Sequence, residues 1–266
     1  MTARHGFTLI ETMIALVLGV MVGGIALQVL IGQQRLARLE AARVENQLTL
    51  HAGLSYLVRE FRPLGAGPDL LDAGSDALTF RATRGFGLAC GLSGPVLSMA
   101  VGDRYGTRLP VGGRDSVLLY LAGDSADRSD DRWVPMAITS VSSGTGCGGR
   151  QVLSLTLASD SGTLDPASIR FPAPLRIYEI EQIRAYRSDG SLWLGARSVS
   201  AGEVIQPVFG PLADAGLRLS YFDPAGAITL DPARVRSIGI TLVAEAAGGG
   251  RDSLSTRVLI RNSQAR

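Results

Sequence analysis

The hydrophobic pattern of the chain changes twice. Between Glu11 and Arg35 no residue is charged, and the run from Thr12 to Gln34 is almost wholly apolar. As a helix it would span roughly 35 Å, enough for the hydrocarbon core of a membrane. From Arg35 to Arg62 the pattern becomes charged and amphipathic. Leu36, Leu39, Leu50, Leu54, Leu57, Val58 and Phe61 recur at three- and four-residue spacing. Pro63, Gly65, Gly67 and Pro68 then stop the periodicity. The spacing predicts one helix from Phe7 to Arg62. Leu54, Leu57, Val58 and Phe61 would seat its second half on a sheet, while Glu40, Arg43, Arg59 and Arg62 face outward.

Beyond residue 68 short β-prone runs alternate with Gly, Asp, Ser and Pro. The expected strands are Ala77–Ala82, Ser116–Ala122, Trp133–Val141, Gln151–Leu157, Arg176–Tyr186, Ser191–Arg197, Leu217–Phe222, Ser237–Ala244 and Ser255–Arg261. Residues 83–114 and 123–132 read as loops. Asp189-Gly190 suits a hairpin turn, and Asp223-Pro224-Ala225-Gly226 a second turn. Strand follows strand with no room for crossover helices, so the sheet is expected to be antiparallel. The fold class is therefore α+β: a long N-terminal helix on a mainly antiparallel β-rich head. Four segments follow: a leader at 1–6, an apolar helix half at 7–34, an amphipathic half at 35–62, and a head at 63–266. No internal repeat of fixed period is present.

Composition narrows the function. The chain has 266 residues and a net charge of +2, and its 26 basic residues are all arginine, scattered among 24 acids. No basic stripe for nucleic acid stands out. The two histidines, His5 and His51, lie in the leader and on the helix, so the head lacks the commonest general base. Gly144, Gly146 and Gly149 match a dinucleotide-binding spacing, but a strand pattern follows where a helix is needed. Asp124, Asp127, Asp130 and Asp131 cluster, yet Arg128 and Arg132 are interleaved, which reads as a solvated loop rather than a calcium site. No catalytic residue, metal or cofactor is expected. Cys90 and Cys147 lie in Gly-rich segments and are expected to pair if the head is exported.

Glu11 is the one acid at the head of the apolar run. A lone carboxylate at that depth is costly unless paired. Three readings of the N-terminus compete. A signal peptide would be cut near Gly24-Ile25-Ala26. A plain signal anchor accounts for the length but not for Glu11. In the third, the string Gly6-Phe7-Thr8-Leu9-Ile10-Glu11, after a short leader with Arg4, resembles the processing signal of type IV prepilins. Further strings resemble larger minor pilins of the PilW type and minor pseudopilins of the J type. They are Tyr178-Glu-Ile-Glu, Leu192-Trp-Leu-Gly-Ala-Arg197, the run Leu217–Gly226, the run Val235–Leu242 and Val258-Leu-Ile-Arg-Asn262.

The resemblance implies cleavage between Gly6 and Phe7 by a prepilin peptidase, and methylation of the new Phe7 amine. It implies a charge pair between Glu11 and the N-terminal ammonium of a neighbouring subunit, or with its own Phe7 amine before assembly. The partners implied are the peptidase, other minor and major pilins or pseudopilins, and inner-membrane lipid. The expected role is a structural subunit that helps initiate or cap a type IV pilus, with a type II secretion pseudopilus as the alternative. A signal-anchored binding or adhesive domain is the reading from a different class. Bulk pilins carry a helix proline some sixteen residues past Phe7 and tend to be smaller; this helix has none. Gly19 and Gly23 form a small-xxx-small pair that would let another helix approach. The head is expected outside the cytoplasm, although Arg35, Arg38 and Arg43 follow the span.

Overall fold

The structure is a computed structural model that describes residues 8–123, 131–158, 169–245 and 250–261. Helix α1 runs unbroken through Leu9–Phe61, 53 residues, or roughly 80 Å. Its first half touches nothing: every described residue up to Leu36 is exposed. Contact with the head begins near Arg43 and Asn46, whose side chains reach Asp252 and the Glu245 carbonyl. Leu50, Gly53, Leu57, Glu60 and Phe61 are buried. Leu54 and Val58 are only half-buried, on one flank, and Leu36 and Leu39 stay exposed. The seat therefore covers only the later turns of the predicted amphipathic half. Gly53 lets the helix approach closely, since a Cβ there would lie 3.2 Å from Leu242 and 3.4 Å from Phe209. Burying Leu50, Leu57 and Phe61 contributes about 5–9 kcal/mol before entropy is subtracted.

Thirteen strands follow among the described residues. They are β1 (Leu70–Ala73), β2 (Ala77–Ser93), β3 (Val96–Ala100), β4 (Tyr105–Gly106), β5 (Ser116–Leu121), β6 (Arg132–Gly146) and β7 (Arg150–Leu157). Then come β8 (Ala173–Ser188), β9 (Ser191–Ser198), β10 (Gln206–Leu212), β11 (Leu217–Phe222), β12 (Ser237–Glu245) and β13 (Arg251–Leu259). All pairings are antiparallel, as expected. The turn at Asp189-Gly190 joins β8 to β9 with both residues at positive φ. The Asp223 carboxylate accepts from Ala225 and Ala227 N–H in the second turn.

The ladder contains a closed ring. β2 pairs β3, β3 pairs β7, β7 pairs β6, β6 pairs β5, β5 pairs β8, and β8 returns to β2. Six antiparallel strands thus form a small barrel, whose interior is filled by Ala89, Leu97, Met99, Val117, Leu119, Ile138, Leu155, Leu175 and Ile177. Closure removes the exposed edges that such a sheet would otherwise carry. The second core lies between α1, the near ends of β2, β8 and β9, and the separate sheet β11-β12-β13. Phe61 meets Phe80 there, edge to face, with ring centres 5.4 Å apart.

Several expectations need correction. Residues 83–114 are not a loop. β2 continues to Ser93, and β3 and β4 fall in the same stretch. The glycines that read as breakers are structural: a Cβ on Gly85 would sit 2.9 Å from the Tyr105 carbonyl where β4 lies on β2. Cys90 is consequently in a strand, not a loop. β1 and β10 had no strand pattern in the sequence. Asp124, Asp127 and Asp130 lie outside the described residues. Asp131 accepts from the Tyr120 hydroxyl and from Gly123 N–H, so it holds its own loop.

Candidate functional site: the helix start and the helix seat

The start of α1 is a capping box. Thr8 Oγ1 accepts from Glu11 N–H at 3.4 Å, and Thr8 N–H donates to Glu11 Oε2 at 2.9 Å. These bonds satisfy amide groups that have no partner inside the helix. They also place a negative charge where the helix dipole is positive. Thr8-x-x-Glu11 has the spacing of a capping box, a signal in the sequence for this second role of Glu11. Gly6 and Phe7 lie outside the described residues. From Leu9 onward, side chains such as Ile10, Met13, Leu16 and Val20 are more than half exposed. The helix is long and apolar enough to cross a membrane.

At its other end, α1 closes over a buried polar seam between the two cores. On β8 the residues Ala173, Leu175, Ile177, Glu179, Glu181 and Ile183 alternate onto one face. That face reads apolar in the barrel, acidic at two positions, and apolar again under the helix. Opposite the acids β2 carries a bulge between Thr83 and Gly85, so that Arg84 is the extra residue. A bulge re-aims side chains, and here it turns Arg84 inward. Arg84 donates to Glu179 and Glu181, and to Glu60 of the helix at 2.8 Å. The Tyr56 hydroxyl, also on the helix, donates to Glu181 at 2.6 Å. Arg114 joins Glu179 at 2.6 Å to Glu203 at 2.6 Å, and Arg108 donates to Asp115 at 2.5 and 2.7 Å. Arg176 and Asp69 form a further buried pair.

The seam holds four buried carboxylates, Glu60, Asp115, Glu179 and Glu181, against three guanidiniums, Arg84, Arg108 and Arg114, and Arg114 reaches on to the exposed Glu203. Burial pushes the Glu179 carboxyl up, but the hydrogen bonds and charge of Arg84, helped by Ser198 and Arg114, outweigh it and bring it down to about 2. Glu181 goes the other way. Its burial, with Glu60 and Glu179 nearby, outweighs Tyr56 and Arg84 and raises its pKa. Burial and the Glu181 charge likewise raise that of Tyr56. Glu60 and Tyr56 of the helix, bonded to Arg84 of β2 and Glu181 of β8, act as a clamp that fixes the helix to the barrel. Among the described residues no group of acidic, histidine or cysteine side chains is arranged to hold a metal.

Cys90 and Cys147 form a disulfide with Cα atoms 5.8 Å apart, joining β2 to the turn after β6. It ties the barrel and lies apart from both helix ends.

Residues 1–27 match a family model described as the prokaryotic N-terminal methylation motif. The matched stretch carries the Gly6-to-Glu11 string and opens the long apolar helix. Helix, antiparallel head and motif together fit a type IV pilin-like protein. Neither a curated protein nor a solved structure matches the chain.

Proposed function

We propose that this chain is a minor pilin, a structural subunit that helps initiate or cap a type IV pilus. The observation that carries this reading is the methylation-motif match at residues 1–27, continuous with a helix whose first half is unburied. The motif implies processing by a prepilin peptidase and assembly with other pilins. In this reading residues 1–6 are a leader removed between Gly6 and Phe7, and Phe7 is N-methylated. The segment 7–34 waits in the inner membrane and later enters a filament core. Residues 35–62 carry the head, 63–266, outside the cytoplasm. A carboxylate in lipid needs a cation, and the ammonium of a neighbouring Phe7 supplies one for Glu11. The unbroken, proline-free helix and the two-core head favour a minor over a bulk subunit. The secretion pseudopilus shares this N-terminal chemistry.

Mass spectrometry of the mature N-terminus tests the reading. N-methyl-Phe7 is expected. A chain beginning at Leu27 would point to ordinary signal peptidase, and an intact Met1 to a plain anchor; either overturns it.

A further inference from the structure

Among the described residues β13 has a partner on one side only. All nine residues of Arg251–Leu259 register with β12, with no bulge and no proline. Among the described residues no strand pairs with its other side. Alternate residues of such an edge turn N–H and C=O outward, which is a template for one more strand. The opposite edge of this sheet is already occupied: Leu219 N–H donates to the Ser75 carbonyl at 2.7 Å, and the Tyr221 hydroxyl to that of Gly74 at 2.9 Å.

The helix runs beside this free edge. Arg43 lies 3.8 Å from Asp252 near the start of β13, and Arg261 N–H donates to the Arg62 carbonyl at 3.1 Å just past its end. Tyr56 and Glu60 turn toward the barrel, so Leu54 and Val58 occupy the flank on the far side. With Pro63 they floor a groove of about 530 Å³, rimmed by Arg59, Arg62 and Arg261. Glu60 lies 3.6 Å from Arg59, but it is held more closely by Arg84 at 2.8 Å. The side chains of Arg62 and Arg261 have no ion pair among the described residues. A helix C-terminus carries about half a negative charge, so three guanidiniums leave the rim cationic.

We propose that this edge and groove take an extended segment of a partner protein, added to β13 as a strand. Main-chain bonds to β13 supply affinity. Aliphatic side chains of the segment cover Leu54 and Val58, and one or more carboxylates meet Arg59, Arg62 and Arg261. The proposal uses no feature of the N-terminus and stands apart from the processing reading.

The test places a photoreactive phenylalanine at Ser55 on the groove, and separately at Leu259 on β13, in the full chain in its native membrane. Adducts from both positions should map to one segment of one other polypeptide, with Asp or Glu within it. Arg59→Glu with Arg62→Glu should lower the yield at least about tenfold, the factor that ~1.4 kcal/mol represents, while the head stays folded with only the small fall in unfolding midpoint that acids at a helix C-terminus bring. Arg261→Glu alone should act in the same direction, and serves if the double variant does not fold. An adduct to a second copy of this chain, to lipid alone or to a segment without acids overturns the proposal. So does a yield indifferent to charge reversal, or no adduct. The mature N-terminus, measured on the same sample, reports on processing separately.

Discussion

Arg84, the extra residue of the bulge in β2, donates to Glu60 of the helix at 2.8 Å, and so binds the barrel to the helix through one side chain. Glu179 and Glu181 share the same guanidinium. Removing one member of a buried ion network leaves the others uncompensated, which costs more than the network itself contributes. Arg84→Met is therefore expected to lower stability by about 3–5 kcal/mol. Arg84→Lys should recover only part of this, since an ammonium lacks the planar fork that reaches three carboxylates. Urea unfolding midpoints of the two variants check both.

Glu179 and Glu181 should give opposite pH dependence. The folded-state pKa of Glu179 is about 2, below its ordinary 4.5. Its contribution is full above pH 4.5 and is lost as pH falls toward 2, on the order of 3 kcal/mol. The pKa of Glu181 is raised. Its contribution is present below pH 4.5 and declines as pH rises through the elevated value. Glu179→Gln should destabilise the head at neutral pH and flatten the acid limb. Glu181→Gln should make stability at pH 7 gain relative to pH 4. Unfolding midpoints across pH 2 to 8 would expose a reversed order.

The disulfide closes a sequence separation of 57 residues. On the chain-entropy relation its removal costs about 4 kcal/mol. Cys90→Ser with Cys147→Ser is expected to lower the barrel's stability by up to that amount. The hydrogen-bonded ring and the filled interior remain, so hydrogen exchange should still show protection at Leu119 and Leu175. Equal exchange throughout the barrel would mean that the disulfide, not the ring, closes it.

Leu57 is fully buried at the centre of the helix seat. Leu57→Asp places an unpaired charge in the larger core and is expected to unfold the head while leaving membrane insertion intact, because the apolar half of the helix is untouched. Circular dichroism in detergent and membrane fractionation read the two effects. A folded head in the Leu57→Asp variant would show that the second core does not depend on the helix.

Glu11 has two roles that can be separated. Thr8→Ala removes half of the capping box and should cost about 1 kcal/mol of local helix stability. Glu11→Ala removes the box and the charge. If the charge pair drives assembly, Glu11→Ala abolishes incorporation into filaments while Thr8→Ala only reduces it, with folding and insertion of the monomer unchanged in both. Similar defects in the two variants would assign Glu11 to capping alone. Incorporation measured in sheared filament fractions decides.

Much of this was readable from the chain. A run without charges, an i/i+4 stripe and a Pro-Gly stop dictate one long helix, because those signals act within a few residues of one another. Asp189-Gly190 dictates its hairpin for the same reason. The capping box at Thr8 and Glu11 and the six-residue string around it are also local. Tyr178-Glu-Ile-Glu shows where such reading ends. Its alternation suits a strand with its acids facing water, yet Glu179 and Glu181 are buried, and Tyr178 is buried on the other face. Period-two patterning does not say which face is covered when both are.

The helix, its apolar half, the strand-rich head and the N-terminal motif follow from propensity and spacing along the chain. The folded arrangement is needed to see that six strands close into a barrel, that a bulge turns Arg84 onto two glutamates, that Glu60 and Tyr56 complete the clamp, and that β13 keeps an edge free among the described residues. These depend on register between residues more than a hundred positions apart, such as Ala77 and Arg184, and register is settled by which faces find cover, not by any residue's own preference.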